Sequence, residues 1–156
     1  MKLHLLRHAK TNQESATGKD FDRRLLPKGI KQADQMSHFL SNLENLEIHC
    51  SSSARTRQTY ELISPNLPMV NVHFSDDLYL ASHLQYLAYI NKILGNKDLL
   101  IIGHNNGLSD LATYLSDEFI DLKTCEYVSL EIPLDNWKEL SKGTGTILER
   151  FRPEVD

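Results

Sequence analysis

The chain has 156 residues, of which 40% are hydrophobic and 24% charged, with seven glycines and five prolines. This composition excludes collagen-like, low-complexity and intrinsically disordered proteins. Seventeen basic and twenty-one acidic residues leave a formal charge of −4, so no overall positive field is present to hold nucleic acid or an anionic membrane. At this length we expect a single domain over residues 1–156 with one hydrophobic core.

The number of cysteines and the length of the apolar runs bear on the cellular location of the protein. Two cysteines cannot build a disulfide framework, and a domain of this size needs none, so reduced thiols are expected. The chain does not start like a secretory leader, and its longest apolar runs fall far short of the roughly 20 residues that span a bilayer. We therefore expect a soluble cytoplasmic protein with no membrane partner.

In chain order, strand-like apolar runs alternate with helical stretches. The strands are predicted over residues 3–6, 47–50, 69–74 and 98–102. The first helix is predicted to begin at Pro27 and to run for about 16 residues. The second helix covers residues 54–63, after a serine run that offers an N-cap.

Two more helices and two final strands follow. The apolar face of the third helix is predicted at Leu84, Leu87, Ile90 and Leu94. The fourth helix begins after residue 107. Residues 127–132 and 146–151 predict two strands without a crossover helix between them, and such strands pair antiparallel. The pattern predicts one three-layer α/β/α domain whose sheet is mostly parallel, with an antiparallel C-terminal strand pair.

Basic and imidazole side chains stand where these strands end, which is where α/β sheets bind ligands. Arg7 and His8 follow the first strand, the second strand leads to Arg55, and the fourth ends at His104. In the first turn of a helix the macrodipole disfavours a cation by roughly 0.3–1 kcal/mol. A bound anion would reverse that cost at Arg55. The alternative is that Arg55 and Arg57 are ordinary surface side chains.

The sequence gives less support to a metal site, a serine or cysteine nucleophile, or a nucleotide-binding loop. In a strand, His4 and His8 would lie about 13 Å apart, too far to share a metal ion. The sequence contains no CxxC, HExxH, GxSxG or GxxxxGK[ST] motif. Cys50 lies within a predicted strand, where a small buried hydrophobe is expected. Five histidines are expected to be structural or solvated: His4, His38, His49, His73 and His83. Histidine at a strand end is the remaining candidate nucleophile.

Three segments resemble the histidine phosphatase superfamily, which has the phosphoglycerate-mutase-like fold, and within it the SixA-type phosphohistidine phosphatases. The segments are LRHAKT at residues 6–11, SSSARTRQT at 51–59 and IGHNNGL at 102–108. Their order and spacing, together with the terminal Trp137, Gly143-Thr144-Gly145 and Arg152-Pro153, extend the resemblance over nearly the whole chain.

The resemblance implies a role for each residue at the strand ends. His8 would be the nucleophile that becomes phosphorylated, Arg7 and Arg55 would clamp the phosphoryl oxygens, and His104 would be a further donor. Arg23 and Thr11 are additional candidates for substrate contact. No metal or other cofactor is implied, because guanidinium groups supply the positive charge that phosphoryl transfer needs.

One departure from the superfamily bears on the substrate. Many members carry a glutamate as general acid after the third strand, where this sequence has only Asp76 and Asp77. Asp77 is a candidate acid, or a turn cap. Without an acid, phosphohistidine on a protein is the expected substrate, because a phosphoramidate nitrogen departs with less help than an alkoxide. Two alternatives stay open: a phosphatase of small phosphomonoesters, and a non-catalytic domain that binds phosphorylated partners.

Overall fold

One six-stranded sheet with helices on both faces makes up the protein, which a computed structural model describes over residues 1–156. In chain order the elements are β1 (Lys2–Arg7), α1 (Pro27–Phe39), β2 (Leu46–Ser51), α2 (Ala54–Ile63), β3 (Val72–Ser75), α3 (His83–Asn91), β4 (Asp98–Gly103), α4 (Gly107–Ser116), β5 (Tyr127–Glu131) and β6 (Thr146–Phe151). Short 3₁₀ turns connect several of them, including Asp20–Asp22 and Asp76–Leu78. No helix combines the length and the apolar character that a bilayer crossing requires.

The sheet has the strand order β3-β2-β4-β1-β5-β6. The first four strands in this order pair parallel, whereas β5 pairs antiparallel with both β1 and β6. The predicted α/β fold with an antiparallel C-terminal pair is therefore confirmed. Because β1, β2 and β4 are parallel neighbours, their carboxyl ends lie at one edge of the sheet.

The unbroken apolar run of β4 reflects burial on both faces of the sheet. Leu99 and Ile101 join the core formed with α3 and α4, whereas Leu100 and Ile102 join the core formed with α1 and α2. All four side chains are fully buried. The chain thus has two core layers, one on each side of the sheet, and together they fix the strand ends.

Several element boundaries differ from the predictions. The first helix stops at Phe39, and a 3₁₀ turn at Leu40–Asn42 completes the predicted length. The third strand begins only at Val72, where it pairs with Ile48 of β2, and Met69 is fully exposed. Ser53 occupies the N-cap position of α2, but its hydroxyl bonds the Thr56 hydroxyl instead of a backbone N–H.

The predicted buried face of α3 was wrong in part. Leu84 and Leu94 are exposed, and α3 ends at Asn91, before Leu94. The buried side chains of this helix are Tyr86 and Ile90. Tyrosine was not counted in the apolar pattern, yet an aromatic ring buries more apolar area than leucine and here sets the helix orientation.

Candidate active site

The structure brings the four predicted strand-end residues to one edge of the sheet. Arg7 ends β1 and His8 follows it, Arg55 lies in the first turn of α2, and His104 follows β4. The His8 and His104 rings lie with their centroids 5.5 Å apart. The charges of Arg7 and Arg55 both act on the two imidazoles. These side chains therefore form one basic cluster, which we call the strand-end cluster.

His8 is held as a neutral imidazole with one free nitrogen. Its Nδ1 lies 2.8 Å from the carbonyl oxygen of Ala9. A carbonyl oxygen only accepts, so Nδ1 carries the proton and Nε2 keeps its lone pair. Burial is the main reason that the pKa of His8 falls to about 3, and the charges of Arg55 and Arg7 lower it further, against the effect of the Ala9 bond. At neutral pH this side chain is an uncharged base.

His104 is fixed from two sides. Its Nε2 lies 2.7 Å from the hydroxyl of Ser51, at the end of β2, and its backbone N–H donates to the hydroxyl of Tyr86 at 3.0 Å. Burial, followed by the effects of His8 and Arg55, lowers the pKa of His104 to about 2. With the Ser51 hydroxyl donating to Nε2, Nδ1 carries the single N–H of this neutral ring.

The close approach of Tyr86 depends on Gly103. A Cβ atom built on Gly103 would collide with the Tyr86 hydroxyl. Glycine precedes His104 in the segment at residues 102–108, and the structure gives the reason for it: a larger residue at Gly103 would push away the hydroxyl that accepts from the His104 backbone.

Three buried nitrogen atoms of the strand-end cluster have no hydrogen-bond partner. They are Arg7 Nε, Arg55 Nε and His104 Nδ1. Buried polar atoms in folded proteins are almost always paired, because an unpaired one costs about 1–3 kcal/mol. These three nitrogens belong to the residues predicted to bind phosphate, and together they offer N–H donors suited to an anion.

The two arginines in the first turn of α2 have different environments. Arg55 is buried, with 3% of its surface exposed. Arg57 is exposed, its guanidinium carbon lies 3.9 Å from the centroid of the Phe74 ring, and its Nε donates to the Ser52 carbonyl. The surface interpretation therefore fits Arg57, whereas Arg55 faces the strand-end cluster.

Asp20, which the sequence analysis did not single out, links the polar loop after β1 to the cluster. Its backbone and carboxylate oxygens accept from Arg55 at 2.8 and 3.0 Å, and its carboxylate accepts from Tyr79 at 2.5 Å and Arg23 at 2.8 Å. Burial alone would raise the pKa of Asp20, but these hydrogen bonds outweigh it and hold the pKa well below its usual range. The carboxylate is ionised and cannot donate a proton.

Arg23 and Thr11 bond to each other at the rim. Arg23 Nη2 donates to the Thr11 hydroxyl at 2.6 Å, and its Nε donates to the Asn12 carbonyl at 2.7 Å. Through Asp20, this pair is connected to Arg55. Both predicted side chains thus shape the loop beside the cluster.

Asp77 lies apart from these contacts. It is exposed in the turn at Asp76–Leu78, where its backbone N–H donates to the hydroxyl of Ser75. Ser75, and not Asp77, therefore supplies the side-chain cap of this turn. The Asp77 carboxylate forms no hydrogen bond to the strand-end cluster.

The other candidates of the sequence analysis have separate partners. His4 Nδ1 lies 2.6 Å from the Tyr127 hydroxyl. Cys50 and Cys125 are free and buried, and burial raises the pKa of the Cys50 thiol far above its usual range. Neither His4 nor Cys50 is placed for nucleophilic chemistry.

Three further residues support the site. Ser51 belongs to the serine run before Arg55, which was predicted to offer a helix N-cap and which lies in the segment at residues 51–59. The Thr59 hydroxyl accepts from the Ala9 N–H at 3.1 Å and donates to the Arg55 carbonyl at 2.8 Å. Tyr79 packs edge-on against His104, with ring centroids 5.4 Å apart. Only Ser51 and Thr59 carried a sequence signal, because they lie inside the segment at residues 51–59.

Comparison with known proteins gives the family. The family model of the histidine phosphatase superfamily (branch 1) matches residues 3–79, the segment that carries Arg7, His8 and Arg55. An uncharacterised chloroplastic protein of Arabidopsis thaliana is 30% identical over 151 residues, covering 88% of this chain and 69% of that protein. The chain belongs to the histidine phosphatase superfamily. It is also 38% identical to the mitochondrial serine/threonine-protein phosphatase PGAM5 of Xenopus laevis over 76 residues, 47% of this chain and 27% of that protein.

Solved structures of the histidine phosphatase superfamily share the fold over nearly the whole chain. A structure assigned as phosphohistidine phosphatase SixA of Nakamurella multipartita matches with a TM-score of 0.86 and 23% identity, over 99% of this chain and 96% of that one. The protein histidine phosphatase SixA complexed with tungstate matches with a TM-score of 0.78 and 21% identity, over 97% of each chain. The resemblance to this superfamily is confirmed, and membership supports phosphatase activity.

Proposed function

We propose that the protein hydrolyses phosphohistidine on another protein, through a covalent phosphohistidine formed on its own His8. The observation that carries this proposal is the set of unpaired buried nitrogens on Arg7, Arg55 and His104, next to a neutral imidazole whose Nε2 keeps its lone pair. A phosphoryl group offers oxygens for these donors and phosphorus for that lone pair.

The first half-reaction transfers the phosphoryl group to His8. Its Nε2 attacks phosphorus while the P–N bond of the substrate breaks, and the departing imidazole takes a proton from solvent. Arg7, Arg55 and His104 hold the three equatorial oxygens, where a loose transition state carries its charge. The Ala9 carbonyl stabilises the positive charge that develops on the His8 ring, through the Nδ1–H bond.

The second half-reaction releases inorganic phosphate. Water attacks phosphorus, the P–Nε2 bond breaks, and His8 returns to its neutral form as the excess proton leaves to solvent. A covalent intermediate divides one difficult transfer into two easier steps. The donors are the same in both steps, so the chain's own residues supply the positive charge throughout.

The carboxylates near the site favour phosphohistidine over alkyl phosphates as substrate. The Asp20 carboxylate is ionised and already accepts three hydrogen bonds, and Asp77 is exposed and outside the cluster. Neither is placed to protonate an alkoxide leaving group, whereas a phosphoramidate nitrogen departs with less help. The connections over residues 11–26 and 75–82 are too short for a substantial lid, which favours a protein side chain as substrate. A cytoplasmic location stays a prediction.

Phosphate release from a phosphohistidine protein, compared with a panel of small phosphate esters, tests the proposal. We expect the wild type to prefer phosphohistidine, His8→Ala to lose turnover while remaining folded, and an acid-labile phosphate to appear on His8 during turnover. His38→Ala, at an exposed histidine, is the control and retains the wild-type rate. Retained turnover in His8→Ala would refute the proposed nucleophile.

The same measurement separates the two alternatives. A rate on small esters that rivals the rate on phosphohistidine, and that falls in Asp77→Ala, indicates a phosphomonoesterase. Binding of phosphorylated protein with no phosphate ever trapped on His8 indicates a non-catalytic binding domain. Under our proposal Asp77→Ala leaves phosphohistidine turnover unchanged, because that carboxylate does not contact the cluster.

A further inference from the structure

Three potential metal ligands lie together at the β2–β3 edge of the sheet, outside the strand-end cluster. Glu47 and His49 point to the same face because they are two residues apart on β2, and His73 of β3 is the register partner of His49. Glu47 Oε1 lies 2.9 Å from His49 Nε2 and 3.8 Å from His73 Nε2. One ligand atom from each residue lies within 4.8 Å of the other two.

Tyr89 of α3 orients the most buried of these three side chains. The His49 Nδ1 lies 2.6 Å from the Tyr89 hydroxyl. Without a cation, Nε2–H donates to the Glu47 carboxylate and Nδ1 accepts from the Tyr89 hydroxyl. A cation bound at Nε2 would displace that proton, and Nδ1–H would then donate to the Tyr89 oxygen. Metal-binding histidines in proteins are held in this way, with the second ring nitrogen bonded to an outer partner.

We propose that Glu47, His49 and His73 form a binding site for a divalent zinc-like cation. Two imidazoles and one carboxylate are a known Zn²⁺ donor set, which leaves a fourth position for water. Zn–N and Zn–O bonds of about 2.0–2.1 Å at tetrahedral angles place ligand atoms about 3.3 Å apart. The His73 side chain is 54% exposed, so a small rotation of this ring closes the remaining gap.

The site is separate from the proposed phosphoryl transfer. Ser51, which contacts His104, is two residues beyond His49 on β2, about 7 Å along the strand. No hydrogen bond or ion pair joins the three ligands to Arg7, His8, Arg55 or His104. The cation would instead join the four-residue edge strand β3 to its neighbour β2, so its expected effect is on stability.

Zinc titration of the full chain, with a chromophoric chelator as competitor, tests the site. We expect one equivalent to bind and to raise the melting temperature, and Co²⁺ in its place to give the visible absorption of a tetrahedral complex. His73→Ala and Glu47→Gln are expected to weaken binding at least tenfold and to abolish the Co²⁺ signal. Tyr89→Phe, which removes only the outer hydrogen bond, should weaken binding about 10- to 100-fold.

An exposed histidine outside the proposed site provides the control for the zinc titration. His38 lies 4.0 Å from Asp34 on α1, so His38→Gln removes a histidine–carboxylate pair without touching the proposed site, and we expect wild-type affinity. His73 is largely exposed, so His73→Ala is expected to fold. Equal Zn²⁺ affinity of His73→Ala and wild type, or no binding by wild type, would overturn the proposal.

Discussion

Asp20 occupies both terminal nitrogens of Arg55, with its backbone oxygen at 2.8 Å from one and its carboxylate oxygen at 3.0 Å from the other. An ionised carboxylate therefore stands at the edge of a cluster that otherwise presents only positive or neutral donors. It orients the guanidinium, but it also repels an incoming anion.

Asp20→Asn is predicted to strengthen inhibition by inorganic phosphate. The amide keeps an oxygen for Arg55 and removes one negative charge, which at about 4 Å in water-like surroundings is worth about 1 kcal/mol. The inhibition constant should fall about fivefold. Asp22→Asn, in the same loop but without a bond to Arg55, serves as the control. A rise in the constant for Asp20→Asn would mean that orientation of Arg55 outweighs repulsion.

Arg55→Lys is predicted to lower kcat/KM by about 100-fold, because a point ammonium cannot reproduce the planar donor arrangement. Arg57→Lys is the matched control. Arg57 lies about half a helical turn from Arg55, and its guanidinium packs over the Phe74 ring. We therefore expect Arg57→Lys to affect stability more than rate. Steady-state kinetics on a phosphohistidine protein measures both. Similar rates for Arg55→Lys and wild type would argue against a clamp at this position.

Ser51→Ala is predicted to reduce kcat/KM about tenfold, equal to about 1.4 kcal/mol, because it leaves His104 Nε2 buried without a partner. Ser53→Ala removes a neighbouring buried hydroxyl that bonds only the Thr56 hydroxyl. We expect a comparable loss of stability in both variants but a loss of rate only in Ser51→Ala. Equal kinetics in the two variants would contradict this assignment.

The free energy of unfolding is predicted to decrease as the pH falls below about 6.5. Burial lowers the pKa of His4 to about 4, of His8 to about 3 and of His104 to about 2. Between 6.5 and these values the unfolded chain binds protons that the folded chain does not. Each histidine then removes up to about 1.4 kcal/mol of stability per pH unit.

Urea unfolding at pH 7.5, 6 and 5 measures this dependence. His8→Gln should show a shallower slope than wild type, since it removes one buried titrating group, and His38→Gln should show the wild-type slope. A free energy of unfolding that stays constant from pH 7 to pH 5 would show that these imidazoles do not stay neutral in the folded protein.

The sequence was sufficient to predict the sheet and the strand-end cluster, because both follow from local patterns. The run at Leu99 to Ile102 is apolar on both faces, and Arg7, His8 and His104 directly follow such runs. Parallel pairing places the carboxyl ends of these strands at one edge of the sheet, so their proximity can be predicted without the loop conformations.

The contacts that the sequence did not predict depend on tertiary placement. Asp20 lies in a loop without periodicity, so nothing local connects it with Arg55, 35 residues later. Glu47 and His73 meet only through the register of β2 and β3. Tyr86, and not Leu84, lies on the buried face of α3, where its hydroxyl reaches the strand end at Gly103 and accepts from the His104 N–H.

The main chain of His8 is bonded on both sides, to the Gly103 oxygen at 3.1 Å and from the Cys125 N–H at 2.9 Å. Only two side-chain torsions remain free at this residue, and the Ala9 carbonyl restrains those. The orientational entropy of the imidazole is thus lost when the chain folds rather than when a ligand arrives. A docking phosphoprotein would meet a group that is already aimed, so recognition need not include a rearrangement of the strand that carries it.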